Sequence, residues 1–157
     1  SKIGFKVRGW SQTKKKISNV DSFLGPDGLT EVLNATQILI LLLPLTPDTK
    51  FMMNSQTLKL LPKNAIIINP GRGLLINDND LLEELNSGHI GHATLDVFPK
   101  EPLPSTHPYW QNPKVTVTPH IAAHTRPKSS ADTIARSIIQ IRRGQMPIGL
   151  VDPKRFY

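Results

Sequence analysis

The sequence predicts an α/β fold: a doubly wound parallel sheet with helices on both faces. Three observations carry this. Two continuous apolar runs, "ILILLL" at residues 38–43 and "AIII" at 65–68, are too short for a membrane helix and too uniform for half-exposed strands. Strand-like and helix-like patterns alternate along the chain, as parallel strands joined by right-handed crossovers require. Residues able to do chemistry stand just after the strand-like runs, where ligands bind in such sheets.

Taken in order, "GFKVRGW" (4–10) reads as a strand and "LTEVLNAT" (29–36) as a short helix with Leu29, Val32 and Leu33 on one side. Residues 38–43 read as a central strand covered on both faces, stopped by Pro44. "NSQTLKLLP" (54–62) reads as a helix of about two turns, with Asn54 or Ser55 able to cap it. "AIIIN" (65–69) is the next buried strand. "NDNDLLEELNSG" (77–88) is a helix with Asn77 or Asp78 as cap and Gly88 as its stop. "HATLDVF" (92–98) and residues 115–118 read as strands, separated by an extended proline-rich loop at 99–113. Residues 125–144 form the longest helical pattern, with an apolar stripe of Ala131, Ile134, Ala135, Ile138 and Ile141. Pro127 falls in its first turn and Gly144 just past its end.

The strand ends carry the functional signal. After the first strand come Ser11, Gln12, Thr13 and Lys14, with no acid where dinucleotide-binding sheets usually hold one for the ribose hydroxyls. Donors and a cation suit a 2′-phosphate, hence NADP; a plain polar turn is the other reading. After "AIIIN" comes "PGRG", in which Arg72 offers a planar fork to a carboxylate. Gly71 and Gly73 allow unusual backbone conformations or close approach of a ligand. Asp96 sits in an apolar run and needs a partner. Glu101 follows in the rigid loop, and His120 stands just past the last strand.

Each of these residues alone has an ordinary structural explanation. Together, Arg, Glu and His at three successive strand ends match hydride exchange at a 2-oxo or 2-hydroxy acid. Arg72 holds the carboxylate, His120 gives or takes the proton, and Glu101 orients the imidazole.

Composition bounds the alternatives. The 157 residues are 38% hydrophobic and 20% charged, enough for one domain with a real core. No run of about 18 apolar residues occurs, so no transmembrane helix is expected. The absence of cysteine and of a signal-peptide core fits a cytoplasmic enzyme. Net charge is +7, and residues 1–20 hold Lys2, Lys6, Arg8, Lys14, Lys15 and Lys16. That cluster reads as a solvated face, a phosphate site or a nucleic-acid contact. The last comes without a binding motif or stacking aromatics, so nucleic acid is not the expected partner. The pairs His89/His92 and His120/His124 lack a convincing third ligand, so no metal is expected. No G-x-S-x-G elbow supports a nucleophilic triad.

"LLPLTPDT", "INPGRG", "ATLDVFPKEPLP" and "TPHIAAHT" stand in this order along the chain. They resemble the signatures of the D-isomer-specific 2-hydroxyacid dehydrogenases, and the resemblance spans essentially the whole chain. "GWSQTKK", "HIAAHTRP" and the tail "GLVDPKRFY" resemble in particular the bacterial subgroup that reduces glyoxylate and hydroxypyruvate. The resemblance implies a Rossmann-type cofactor domain over residues 1–124. It implies a helix and tail over 125–157 that return to a substrate domain. It assigns substrate binding to Arg72, the acid of the catalytic pair to Glu101 and proton donation to His120. Asp96 is similar to the aspartate that contacts the nicotinamide carboxamide. Leu43, Pro44 and Thr49 fall on the adenine side; Pro70, Gly71 and Ala122 border the nicotinamide. Ser11, Gln12, Thr13 and Lys14 fall where the subgroup binds the 2′-phosphate. NADP(H) is the preferred cofactor and NAD(H) the alternative; the substrate is a small 2-oxo acid.

One family feature is absent. No G-x-G-x-x-G occurs: of the ten glycines only Gly71 and Gly73 have the first spacing, and position 76 is Ile. The resemblance therefore implies a partial sheet lacking the first strand and the glycine-rich loop. A gap or exposed edges are expected, with weak NADPH binding, little turnover by this chain alone, and association into a homo-oligomer. A non-catalytic nucleotide-binding or interaction fragment is the rival reading.

Overall fold

The computed structural model describes residues 4–13, 15–123, 125–147 and 149–153. The chain divides into two compact units, Ser1–His120 and Ile121–Tyr157.

In the first unit, β1 (Val7–Trp10) pairs in parallel with β2 (Val20–Phe23). Helix α1 (Gly25–Asn34) follows, with Pro26 in its first turn and Asp27 near the positive end of its dipole. The Trp10 indole N–H donates to the Gly25 carbonyl at 2.8 Å, tying the start of α1 to the end of β1. Next come β3 (Ile38–Ile40), the one-turn α2 (Ser55–Leu58), β4 (Ala65–Asn69), α3 (Asp78–Ser87), β5 (Ile90–Leu95) and β6 (Val115–Val117). The last four strands form a parallel sheet in the order β3-β4-β5-β6. Short 3-10 turns occupy Gly73–Leu75 and Pro108–Gln111.

Caps set the helix ends as the sequence indicates. The Asn54 carboxamide oxygen accepts from the Gln56 and Thr57 amides, and the Thr57 hydroxyl closes a reciprocal capping box. Asn77 caps α3 through the Asn79 and Asp80 amides, and Gly88 ends it in the left-handed conformation.

The core lies on one face of the four-stranded sheet. Along β4 the buried residues alternate: Ala65, Ile67 and Asn69 point inward. They meet Leu58, Leu61, Leu75, Leu81, Leu85 and Leu95, all nearly inaccessible. A buried leucine here is worth about 2–5 kcal/mol by truncation to alanine, so this cluster holds the sheet and α3 together.

Three differences from the sequence reading have physical causes. β2 was not expected; its four residues carry one alternation, too little for a period to register. α2 spans one turn rather than two: past Leu58 the chain tightens into i→i+3 bonds, from the Leu60 amide to the Thr57 carbonyl and from the Leu61 amide to the Leu58 carbonyl, just before Pro62. Residues 38–43 are not a centrally covered strand. β3 is an outer strand of its sheet, and Ile38, Ile40 and Leu42 stand exposed while Leu39, Leu41 and Leu43 face the core. Among the described residues no strand joins β1 to β3, so the chain forms two separate sheets, with the expected exposed edge.

The second unit contains α4 (Pro127–Arg142), followed by Gly144 at a positive φ. Its apolar stripe is not buried: Ile134, Ile138 and Ile141 remain exposed. No helix of the described residues is long and apolar enough to cross a membrane.

Candidate active site

The carboxyl ends of β4, β5 and β6 supply the site. β4 ends at Asn69, which is 1% exposed. Its side-chain oxygen accepts the Gly71 amide at 3.1 Å, and its side-chain nitrogen donates to the Arg72 carbonyl at 3.0 Å. The Arg72 backbone is thereby held extended, at φ −142° and ψ 138°.

Neither glycine of "PGRG" adopts a positive φ. Both are required by close approach, and what approaches is protein. A Cβ on Gly71 would lie 2.8 Å from the Leu41 carbonyl oxygen. A Cβ on Gly73 would lie 2.1 Å from the Phe98 carbonyl carbon and 2.4 Å from the Pro99 nitrogen. The turn is thus wedged between the ends of β3 and β5. The Arg72 side chain is exposed, and its Nη1 donates to the Gly71 carbonyl at 2.8 Å. Among the described residues no ion pair engages it, so its charge is available to an anion.

The loop after β5 folds Glu101 back on its own start. Glu101 Oε1 accepts the Phe98 amide at 2.9 Å, and Oε2 lies 2.8 Å from Nδ1 of His120. The Phe98 amide, then the His120 bond, hold the Glu101 carboxyl below its ordinary range. His120 lies past β6 at φ 55°, the left-handed region that costs a non-glycine residue about 1–3 kcal/mol. Its side chain is 54% exposed, with Nδ1 engaged by the carboxylate, so Nε2 is the nitrogen left to exchange a proton with solvent or substrate.

Asp96 is buried just past the end of β5, and a buried carboxylate needs hydrogen-bond partners. The Thr118 hydroxyl donates to its Oδ1, and its amide donates to the Asn69 carbonyl at 3.1 Å. Asp96 and Thr118 therefore link the residues just past β5 and β6, five positions before Glu101 and two before His120.

Further from these groups, Ser11 and Thr13 form the turn after β1, where the Ser11 hydroxyl donates to the Thr13 carbonyl at 2.6 Å. Gln12 is exposed in the same turn; Lys14 lies outside the described residues. After β3, Leu43 is half-buried against the core and Pro44 is exposed. Thr49 is buried, and its hydroxyl donates to the Pro44 carbonyl at 2.7 Å while accepting the Thr46 amide at 2.8 Å. Its hydroxyl thus closes its own loop. Pro70 opens the arginine turn. Ala122 belongs to the second unit and is exposed.

The sequence reading missed three residues that shape the site. Asn69 was read only as the last residue of a strand; an Asx-type residue two before a glycine is its signal. Asp78 and Tyr109 anchor the proline-rich loop to α3: the buried Tyr109 hydroxyl donates to Asp78 at 2.9 Å, beneath the His107 ring. Burial holds the Asp78 carboxyl above its ordinary range, although Tyr109 and His107 oppose this. No group of three or more potential metal ligands occurs among the described residues.

The sequence and fold have counterparts among known proteins. A family model described as the NAD-binding domain of D-isomer-specific 2-hydroxyacid dehydrogenases matches residues 1–122. A glyoxylate/hydroxypyruvate reductase A from Yersinia enterocolitica is 46% identical over all 157 residues, which cover 50% of that protein. A D-isomer-specific 2-hydroxyacid dehydrogenase from Xanthobacter autotrophicus Py2, solved with NADPH and MES, superposes with a TM-score of 0.95 at 43% identity. That match covers 98% of this chain and 64% of the other. An NADPH-dependent glyoxylate/hydroxypyruvate reductase from Sinorhizobium meliloti, solved with NADP and sulfate, gives 0.94 at 37% identity, covering 99% of this chain and 51% of that one. The chain spans about half the length of the curated relatives it matches.

Proposed function

The chain belongs to the D-isomer-specific 2-hydroxyacid dehydrogenase family, and from that premise we propose that it is the cofactor-domain half of an NADP(H)-dependent reductase of small 2-oxo acids. Glyoxylate and hydroxypyruvate are the proposed substrates, glycolate and glycerate the products. The observation that carries this reading is the 2.8 Å contact of His120 with Glu101, one strand end away from the turn that exposes the Arg72 side chain.

The cofactor fits part of what the chain offers. The turn after β1 has donors and no acid from Ser11 to Lys16, which suits a phosphate better than a bare ribose diol. Ser11, Gln12 and Thr13 would hold that phosphate, with Lys14 beside them in sequence. Asp96 is proposed for the carboxamide end. The G-x-G-x-x-G that would cradle the pyrophosphate is not in this sequence. When bound, the nicotinamide supplies a hydride or accepts one.

The chain's own residues do the rest. Arg72 binds the substrate carboxylate through two parallel charge-assisted bonds and so fixes the carbonyl beside it. His120 delivers a proton from Nε2 to the carbonyl oxygen as the carbon gains its hydride; the product is the 2-hydroxy acid. Glu101 fixes the ring orientation and keeps the other proton on Nδ1. The reverse reaction returns the proton to Nε2.

The test joins the N-terminal half of the Yersinia relative to this chain. The fusion is expected to oxidise NADPH with glyoxylate, and His120→Ala to lower kcat by about 10²–10⁴-fold. A folded fusion that binds NADPH but reduces no 2-oxo acid would refute the reading and favour a non-catalytic nucleotide-binding role. The separate sheets and exposed β3 edge favour weak NADPH binding and self-association by this chain alone.

A further inference from the structure

We propose that Asn69 is a positioning residue for the substrate-binding arginine, acting through the backbone on both sides of the Arg72 side chain. The inference rests on the reading of Arg72 given above and concerns how that residue is aimed.

Asn69 occupies an inward position of β4, in line with Ala65 and Ile67. An apolar side chain there would extend the core; an amide costs free energy unless both of its ends are bonded. Both are. The oxygen accepts from Gly71 at 3.1 Å, and the nitrogen donates to the Arg72 carbonyl at 3.0 Å. One carboxamide therefore fixes the amide before Arg72 and the carbonyl after it. Its own carbonyl accepts the Asp96 amide at 3.1 Å, which ties the same residue to β5. Gly71 packs on the Leu41 carbonyl and Gly73 on Phe98 and Pro99, so the turn cannot slide along either neighbour.

The chemistry specifies a carboxamide. One end must accept and the other must donate, and of the side chains of this size only asparagine does both. Aspartate would keep the bond to Gly71 but set a carboxylate oxygen against the Arg72 carbonyl, and a buried anion close to the guanidinium would compete with the substrate. Serine would retain at most one of the two bonds. Misplacing a binding group by about 1 Å can cost up to 10²-fold in rate.

The test uses the fusion described above, with Asn69→Asp and Asn69→Ser compared against Arg72→Ala and against each double variant. Each single Asn69 variant is expected to lower kcat/KM for glyoxylate about 10- to 100-fold, mostly through KM, with NADPH affinity unchanged. In the Arg72→Ala background the Asn69 substitutions are expected to have no further effect. If Asn69→Asp fails to fold, Asn69→Ser carries the cycle. In the 157-residue chain itself, Asn69→Ala is expected to speed hydrogen exchange of the Gly71 amide while Ile67 stays protected. An unchanged KM, full additivity with Arg72→Ala, or an unaltered Gly71 amide would each overturn the proposal. If Arg72→Ala itself leaves turnover intact, the reading of Arg72 falls instead, and the two failures are thereby told apart.

Discussion

Gly73→Ala tests the close packing between the arginine turn and the loop that carries Glu101. The new Cβ would meet the Phe98 carbonyl carbon at 2.1 Å, where ordinary contact begins at 3.4 Å. The shortfall is therefore about 1.3 Å, and the atoms met are backbone, which cannot rotate aside. Overpacking of this kind costs about 1–3 kcal/mol, occasionally more; because the obstacle is the Phe98–Pro99 backbone, the upper end is expected. At an m-value of about 1–3 kcal/mol/M in urea, 3 kcal/mol moves the unfolding midpoint by roughly 1–3 M. Gly144→Ala is the control, because its Cβ meets nothing within 4 Å. Its penalty is the left-handed conformation alone, about 1–2 kcal/mol. The assay is urea unfolding of the three chains, followed by circular dichroism. Phe98 also holds Glu101 through its amide, so the fusion enzyme should lose activity on Gly73→Ala and keep it on Gly144→Ala. A Gly73→Ala midpoint equal to that of the parent chain would refute the reasoning.

Two further outcomes follow from the ionisable groups. Glu101 is depressed in the fold, so its contribution is fully present above the ordinary value of 4.5 and is lost as pH falls through the lower folded value. The stability difference between the parent chain and Glu101→Gln, measured by urea unfolding across pH, should be constant at neutral pH and shrink in acid; growth in acid would contradict the hydrogen-bond assignment. Tyr109→Phe should cost about 1–3 kcal/mol at neutral pH by leaving the Asp78 carboxylate short of a donor. Because Asp78 is raised by burial, its folded form favours the proton, and the penalty should be smaller below pH 3.8 than at neutrality. A loss that does not vary with pH would argue against a charged Asp78.

Much of the fold was legible in the residues because the signals are local. Asn54, Asn77 and Gly88 mark helix ends by bonds and conformations within a turn of themselves. "AIIIN" was legible as a strand from its short apolar run; that only Ala65, Ile67 and Asn69 are fully buried came from the fold. Glu101 and His120 were legible as a pair because each follows a strand, and strands of one parallel sheet end on the same side.

What the sequence could not decide depends on neighbours distant along the chain. The run at residues 38–43 is uniformly apolar, yet only Leu39, Leu41 and Leu43 find the core; burial is set by what lies across the sheet, not by the strand itself. "PGRG" read as a flexible turn or a ligand cradle. Its glycines instead admit the backbones of Leu41 and of Phe98 and Pro99, contacts made across 25 or more residues of chain. Asn69 looked like the end of a strand and proves to clamp the arginine. By itself the sequence marked most of the elements and the helix caps at Asn54, Asn77 and Gly88, and it singled out candidate residues at the strand ends. The tertiary structure decided why the arginine sits between two glycines: two other strand ends press so closely on that turn that no side chain fits at either position.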